Sequence, residues 1–257
     1  MNRIDQLFSQ KKENILSVYF TAGFPKLNDT IPILESLAKN DVDLVEIGIP
    51  FSDPLADGPV IQESSRVALE NGMNIKLLFQ QLSSLPPATK NLPLILMGYL
   101  NPVMQFGIEN FCREANKVGI AGVILPDLPI DVYQNEYKTI FEKYNLKNIF
   151  LITPQTSDER IKFIDENSSG FIYMVSSAST TGVKNGIDVE KEKYFARIKS
   201  MKLKNPLVIG FGISDNKTFS KACEYANGAI IGSAFVKSLE KGNSEPSIGK
   251  FVTEIRN

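Results

Sequence analysis

Apolar residues in this chain gather into short, nearly unbroken runs separated by longer stretches with helical spacing. Eight runs recur: 15–21 (ILSVYFT), 43–49 (DLVEIGI), 93–99 (PLILMGY), 121–126 (AGVILP), 148–153 (NIFLIT), 171–176 (FIYMVS), 206–211 (PLVIGF) and 228–232 (GAIIG). They do not alternate apolar with polar, so each reads as a strand buried on both faces, as in a parallel sheet. Helical stretches fall at about 28–40, 60–71, 107–118, 131–144, 157–167, 187–200, 214–225 and 235–241. Thr156-Ser157-Asp158 and Ser214-Asp215 supply N-cap chemistry for two of them. Strand and helix alternating in this way, joined by right-handed crossovers, predict a closed (β/α)8 barrel. The alternative, an open doubly wound sheet, would usually carry a dinucleotide glycine fingerprint after its first strand, and none is present.

Three additions decorate this scaffold. Residues 2–11 place Ile4, Leu7 and Phe8 on one face of a short helix that would plug the barrel floor. Residues 72–90 insert a helix and the SLPPATK loop, and Pro246 to Ile255 forms a terminal helix. With 257 residues and no linker, repeat or low-complexity tract, the expectation is one TIM-barrel domain over 1–257.

One run breaks the apolar pattern in a chemically useful way. Glu46 sits in the middle of the second strand, and the chain then turns at Pro50 into a loop holding Asp53 and Asp57, the whole reading EIGIPFSDPLADGP. A carboxylate in a buried strand is costly unless it is paired or used. The spacing suits two acids in different environments, one desolvated and proton-holding, the other ionised and hydrogen-bonded.

In such barrels the site lies at the C-terminal ends of the strands. That rule gathers Glu46, Asp57, Tyr99 at the end of strand three and Asp127 at the end of strand four. It adds GFGIS (210–214) after strand seven and Gly232-Ser233 after strand eight. Glycine-rich turns beside a helix N-terminus admit an anion to backbone N–H groups, so the last two loops read as a phosphate site. The long loop SSASTTGVKNG (176–186), with Gly182 and Gly186 as hinges, reads as a lid or as a plain surface loop.

Composition narrows the chemistry. There is no histidine, which removes His-based triads and most zinc or iron sites. No strand interior carries the lysine of a Schiff-base aldolase. Magnesium through Glu46, Asp57 and Asp127 is conceivable, but their spacing does not require it, and no metal is expected. Lys and Arg total 28 against 29 Asp and Glu, interspersed, which argues against nucleic acid or a membrane surface as a partner. Two cysteines make no disulfide framework and the N-terminal residues have no apolar stretch, so the expected setting is cytoplasmic.

The string EIGIPFSDPLADGP resembles the alpha subunit of tryptophan synthase, and the likeness continues through TAGFP (21–25), GYLNPVMQFG (98–107), PDLP (126–129), TTG (180–182), GFGIS (210–214) and GSAFV (232–236). The resemblance implies retro-aldol cleavage of indole-3-glycerol phosphate to indole and glyceraldehyde 3-phosphate, with no cofactor in this chain. It implies Glu46 as catalytic acid–base and Asp57 as its partner at the indole N–H. It implies Thr181, Gly182, Gly212, Gly232 and Ser233 around the phosphate and the lid, and Tyr19, Tyr99, Leu125, Tyr173 and Phe211 as the indole pocket. The residues before Thr181-Gly182, SSAST, depart from the family's usual lid. It further implies docking onto a beta subunit that holds pyridoxal phosphate, in an alpha-beta-beta-alpha heterotetramer. The contact face would use the 52–57 loop, Asn101 to Gln105 and Asp127 to Pro129. A stand-alone lyase, a silent barrel that only activates its partner, and another phosphate-handling barrel enzyme are the competing readings.

Overall fold

A computed structural model describes residues 1–176 and 189–257. Eight parallel strands close into a barrel in sequence order, each hydrogen-bonded to the next and the eighth to the first. They are β1 (Ile15–Thr21), β2 (Leu44–Gly48), β3 (Leu94–Met97), β4 (Gly122–Ile124), β5 (Lys147–Ile152), β6 (Ile172–Val175), β7 (Leu207–Gly210) and β8 (Gly228–Ile231). Every residue of β1, β2, β6 and β7 is buried, which is why those segments show no alternation in sequence. Successive side chains still point to opposite faces. On β1 the polar set Ser17, Tyr19 and Thr21 shares one face, and Leu16, Val18 and Phe20 share the other.

The barrel floor is closed by the N-terminal helix Arg3–Gln10, as the spacing of its apolar residues predicts. Ile4 is fully buried against Gly122 and Gly170, and the Phe8 ring lies 5.8 Å from that of Phe171. Asn2 caps the helix by accepting from the Ile4 N–H, and its amide donates to the carbonyls of Ala121 and Asn145. One residue therefore starts the helix and ties it to the floor. Lys147, the first residue of β5, also faces this end and pairs with Asp5 at 2.8 Å, remote from the strand C-termini.

The outer helices follow the predicted stretches with small shifts. Ser157 and Asp215 are the N-caps, and Asp215 forms a full capping box with Thr218. Three features differ from the sequence reading. The segment after strand three, outside the expected helical stretches, is a helix, Leu100–Phe106. Its Pro102 sits in the first turn, where a missing N–H costs nothing, and the carboxylate of Asp127 accepts from the Leu100 N–H at 2.9 Å. That cap comes from a loop far along the chain, so local sequence does not announce it. The stretch 131–144 is interrupted by a wide turn over Tyr133–Tyr137, in which the Lys138 N–H reaches the Tyr133 carbonyl. Strands three and four are also shorter than expected. Tyr99 and Asp127 lie in the turns beyond them and do not end the strands themselves.

Candidate active site

The face that β1 and β2 turn into the barrel carries the chemistry. Glu46 is fully buried and stands beside Tyr19 in the β1–β2 register. Ser17, two residues earlier on the same face of β1, donates to Glu46 Oε1 at 3.0 Å. Glu46 Oε2 is buried with no hydrogen-bond partner among the described residues. Burial pushes the carboxyl up to about 8, and the Ser17 hydrogen bond opposes only part of that rise. Glu46 is thus an acid that keeps its proton at neutral pH and leaves one oxygen uncommitted.

Asp57 is built differently. The loop of Pro54, Gly58 and Pro59 turns it inward, where it is 8% exposed, and Asp53 is left in solvent next to Ser52. Tyr99 Oη donates to Asp57 Oδ2 at 2.9 Å and accepts from the Ala56 N–H at 3.0 Å, so one phenol clamps both carboxylate and loop. The Gln62 amide holds the Asp57 carbonyl at 2.9 Å. Burial raises the Asp57 carboxyl to about 6 against the opposing pull of the Tyr99 hydroxyl. At pH 7 this group is mainly ionised while Glu46 is mainly protonated, which is the division of roles that the spacing suggested.

Two tyrosines form the walls between these acids. Tyr19 and Tyr173 are buried, and the charges of both Glu46 and Asp57 act on each phenol, raising its pKa after the larger effect of burial. Each ring lies over a glycine of the next strand. A Cβ on Gly48 would stand 2.1 Å from Tyr19 Oη, and one on Gly210 would stand 2.1 Å from Tyr173 Oη. Only a hydrogen fits beneath either ring. Phe211 packs edge-on to Tyr173 at 6.3 Å between centroids, and its φ of 69° is one that side chains rarely adopt. Leu125 is buried just past β4.

The two glycine loops lie on adjacent strands. Gly212 has φ 75°, and Ser176 Oγ braces its loop by donating to the Phe211 carbonyl at 2.6 Å. Gly232 precedes the helix Ser233–Lys241, which begins earlier than its apolar spacing suggests, directly after the C-terminal end of β8, and its first N–H groups have no partner within the helix. Thr181 and Gly182 lie outside the described residues, as does the rest of the 176–186 loop beyond Ser176.

Two residues near the site escape the sequence reading. Ser17 could have been found, because it is a hydroxyl inside an apolar strand two positions from Tyr19. Lys191 could not. Its Nζ lies 3.8 Å from where a Cβ on Gly212 would stand, a placement set by the packing of its helix and not by any local pattern. Asp127, grouped with the acids by its position after strand four, spends its carboxylate on the Leu100 N–H.

The unusual state of Glu46 has a consequence for stability. Its folded pKa of about 8 exceeds the ordinary carboxyl value of 4.5, so the folded protein binds this proton more tightly than the unfolded chain. The associated stability is complete below pH 4.5 and is lost as pH rises towards 8. Glu46→Gln abolishes that loss. The Tm difference in favour of Glu46→Gln should widen steadily from pH 5 to pH 8 in thermal unfolding. A pH-independent difference would mean that Glu46 is ionised in the folded barrel.

Comparison with known proteins extends over the whole chain. A family model described as "Tryptophan synthase alpha chain" matches residues 6–254. Proteins of that name from Flavobacterium johnsoniae and Flavobacterium psychrophilum are 59% and 58% identical, over 100% and 99% of this chain and all of each relative. Among solved structures, tryptophan synthase subunit alpha from Legionella pneumophila superposes with a TM-score of 0.88 at 31% identity, covering 100% of this chain and 97% of the other. A barrel with this acid pair and these two glycine loops, matched end to end by such relatives, belongs to the tryptophan synthase alpha chain family.

Proposed function

We propose that Glu46 and Asp57 carry the reaction of the family in this chain. That reaction is the lyase step of tryptophan biosynthesis in which indole-3-glycerol phosphate is cleaved to indole and glyceraldehyde 3-phosphate. The observation that carries the assignment is the contrast between the two acids. Glu46 is buried, proton-holding and free at one oxygen, and Asp57 is clamped and mainly ionised.

Cleavage of the carbon–carbon bond needs a proton on C3 of the indole, which makes an indolenine cation, and loss of a proton from the adjacent side-chain hydroxyl. Protonated Glu46 serves the first transfer, and the carboxylate it becomes serves the second. Asp57, facing the ring N–H, stabilises the positive charge that develops there. The Tyr99 clamp means that no reorganisation is needed at that moment. Tyr19, Tyr99, Leu125, Tyr173 and Phe211 enclose the indole. Gly212, Gly232 and Ser233 receive the phosphate with backbone N–H groups, and Lys191 adds a cation beside them. Residues 1–257 act as one domain in this reading.

The family is one chain of a two-component enzyme and implies a beta-subunit partner. The alpha-beta-beta-alpha tetramer is part of the proposal, as is pyridoxal phosphate as the partner's cofactor. Support comes from the barrel end that holds the chemistry. Leu55 in the 52–57 loop is 90% exposed and Met104 on the Leu100–Phe106 helix is 52% exposed, both large apolar side chains. Asp127 joins that helix to the 127–129 loop, so the proposed contact elements form a braced surface. A cytoplasmic setting goes with the two free thiols, Cys112 and Cys223.

Incubating the purified chain with indole-3-glycerol phosphate, with and without a beta subunit, tests the assignment. Indole should be released by the chain alone and faster with the partner. No release in either case would remove the lyase reading. Release that a beta subunit neither accelerates nor binds to would favour a stand-alone enzyme.

A further inference from the structure

Three hydroxyls run from the interior of the barrel to the helix Pro59–Glu70. Tyr19 Oη lies 3.4 Å from Thr21 Oγ1, Thr21 Oγ1 lies 2.6 Å from Ser64 Oγ, and Ser64 Oγ donates to the Ile61 carbonyl at 2.9 Å. All three residues are buried. The last group gives the chain a direction. A carbonyl only accepts, so in that contact Ser64 is the donor. With the Ser64 proton on Ile61, Ser64 accepts from Thr21 and Thr21 accepts from Tyr19. In this arrangement the Tyr19 proton points to the wall, and the phenolic oxygen presents a lone pair to the site. Tyr99 differs, because it donates to Asp57 and accepts from Ala56.

Tyr19 also occupies a particular place. A Cβ on Gly232, in the loop assigned to the phosphate, would stand 3.6 Å from Tyr19 Cβ. On its other side Tyr19 is in register with Glu46. A substrate with its phosphate at the β8 loop and its ring between Glu46 and Asp57 would carry its glycerol portion past Tyr19, whose ring runs from Gly232 to Gly48. The ring N–H is met by Asp57, so the donors that the substrate itself can offer Tyr19 are its glycerol hydroxyls.

We propose that Tyr19 is a hydrogen-bond acceptor of fixed polarity for a hydroxyl of the glycerol portion of the substrate, and that Thr21 and Ser64 are positioning residues that fix that polarity. The proposal rests on the assignment of Glu46, Asp57 and the β8 loop given above. An acceptor here holds the substrate hydroxyl without a second phenolic proton competing for the carboxylates.

Steady-state kinetics with indole-3-glycerol phosphate, paired with binding of 3-indolylpropyl phosphate, test this. The second ligand has the ring and the phosphate but neither hydroxyl. Tyr19→Phe should lower kcat/KM about threefold to tenfold, the ordinary worth of one neutral hydrogen bond, and leave the Kd of the propyl ligand unchanged. Ser64→Ala, which touches no substrate, should lower kcat/KM in the same direction, and Ser64→Thr should restore it. The losses in Tyr19→Phe and Ser64→Ala should not add in the double variant. Thr21→Val cuts the chain at its middle and gives a second route to the same result. Equal losses for both ligands, wild-type kcat/KM in Ser64→Ala, or additive losses would each overturn the proposal. Glu46→Gln serves as the control. If it is inactive while Tyr19→Phe is unchanged, only the acceptor role falls; if it is active, the site assignment itself falls.

Discussion

Glu46→Gln should lower turnover of indole-3-glycerol phosphate by about 100-fold or more, the usual contribution of a general acid–base, with substrate affinity nearly unchanged. The amide keeps the shape of the side chain and its contact with Ser17 but can neither deliver a proton to the ring nor take one from the hydroxyl. The pH profile makes the expectation sharper. Glu46 must start protonated, which holds below about 8, and Asp57 must be ionised, which holds above about 6. The kcat/KM of the wild-type chain should therefore rise through about pH 6 and fall through about pH 8. These limbs belong to the pair of acids acting together. Any residual activity of Glu46→Gln should lack the alkaline limb. Near-normal turnover, or an unchanged alkaline limb, would place the acid–base elsewhere.

Asp57→Asn should cost on the order of 10²-fold to 10³-fold in kcat, comparable with losing one preorganised electrostatic contact at a charge formed in the transition state. A neutral amide cannot offset a cation at the indole nitrogen. It also turns an N–H towards a donor or reverses its bond with Tyr99, which loosens the clamp on the 52–57 loop. Binding of a phosphate-bearing analogue should survive, because the two glycine loops and Lys191 lie on β7, β8 and the helix Val189–Ser200, not on β2. The acid limb of the pH profile should disappear with the carboxylate. A variant that lost analogue binding but kept turnover at saturation would show that Asp57 only binds.

Both effects depend on environments that the linear chain specifies only in part. The eight apolar runs were legible because a strand covered on both faces cannot carry alternating polar residues, and their number and spacing left little but a closed barrel. Glu46 was legible for the related reason that a carboxylate inside such a run needs a use. The caps at Ser157 and Asp215 were also readable, because a cap acts within three residues of itself.

What only the tertiary structure decided depends on groups that meet from distant positions. Asp53 and Asp57 are equivalent in sequence, but only Asp57 is turned inward onto Tyr99, forty-two positions away. The helix Leu100–Phe106 forms outside the expected helical stretches, and Asp127 comes back from the chain beyond β4 to cap it. Lys191 reaches Gly212 through the packing of a helix whose sequence gives no sign of it. The polarity of Tyr19 is set by a carbonyl at Ile61, through Thr21 and Ser64. Sequence pattern reports burial and local hydrogen bonding, because both are properties of neighbours along the chain. The protonation of an acid and the direction of a hydroxyl depend on the field and the partners that closure of the barrel brings together.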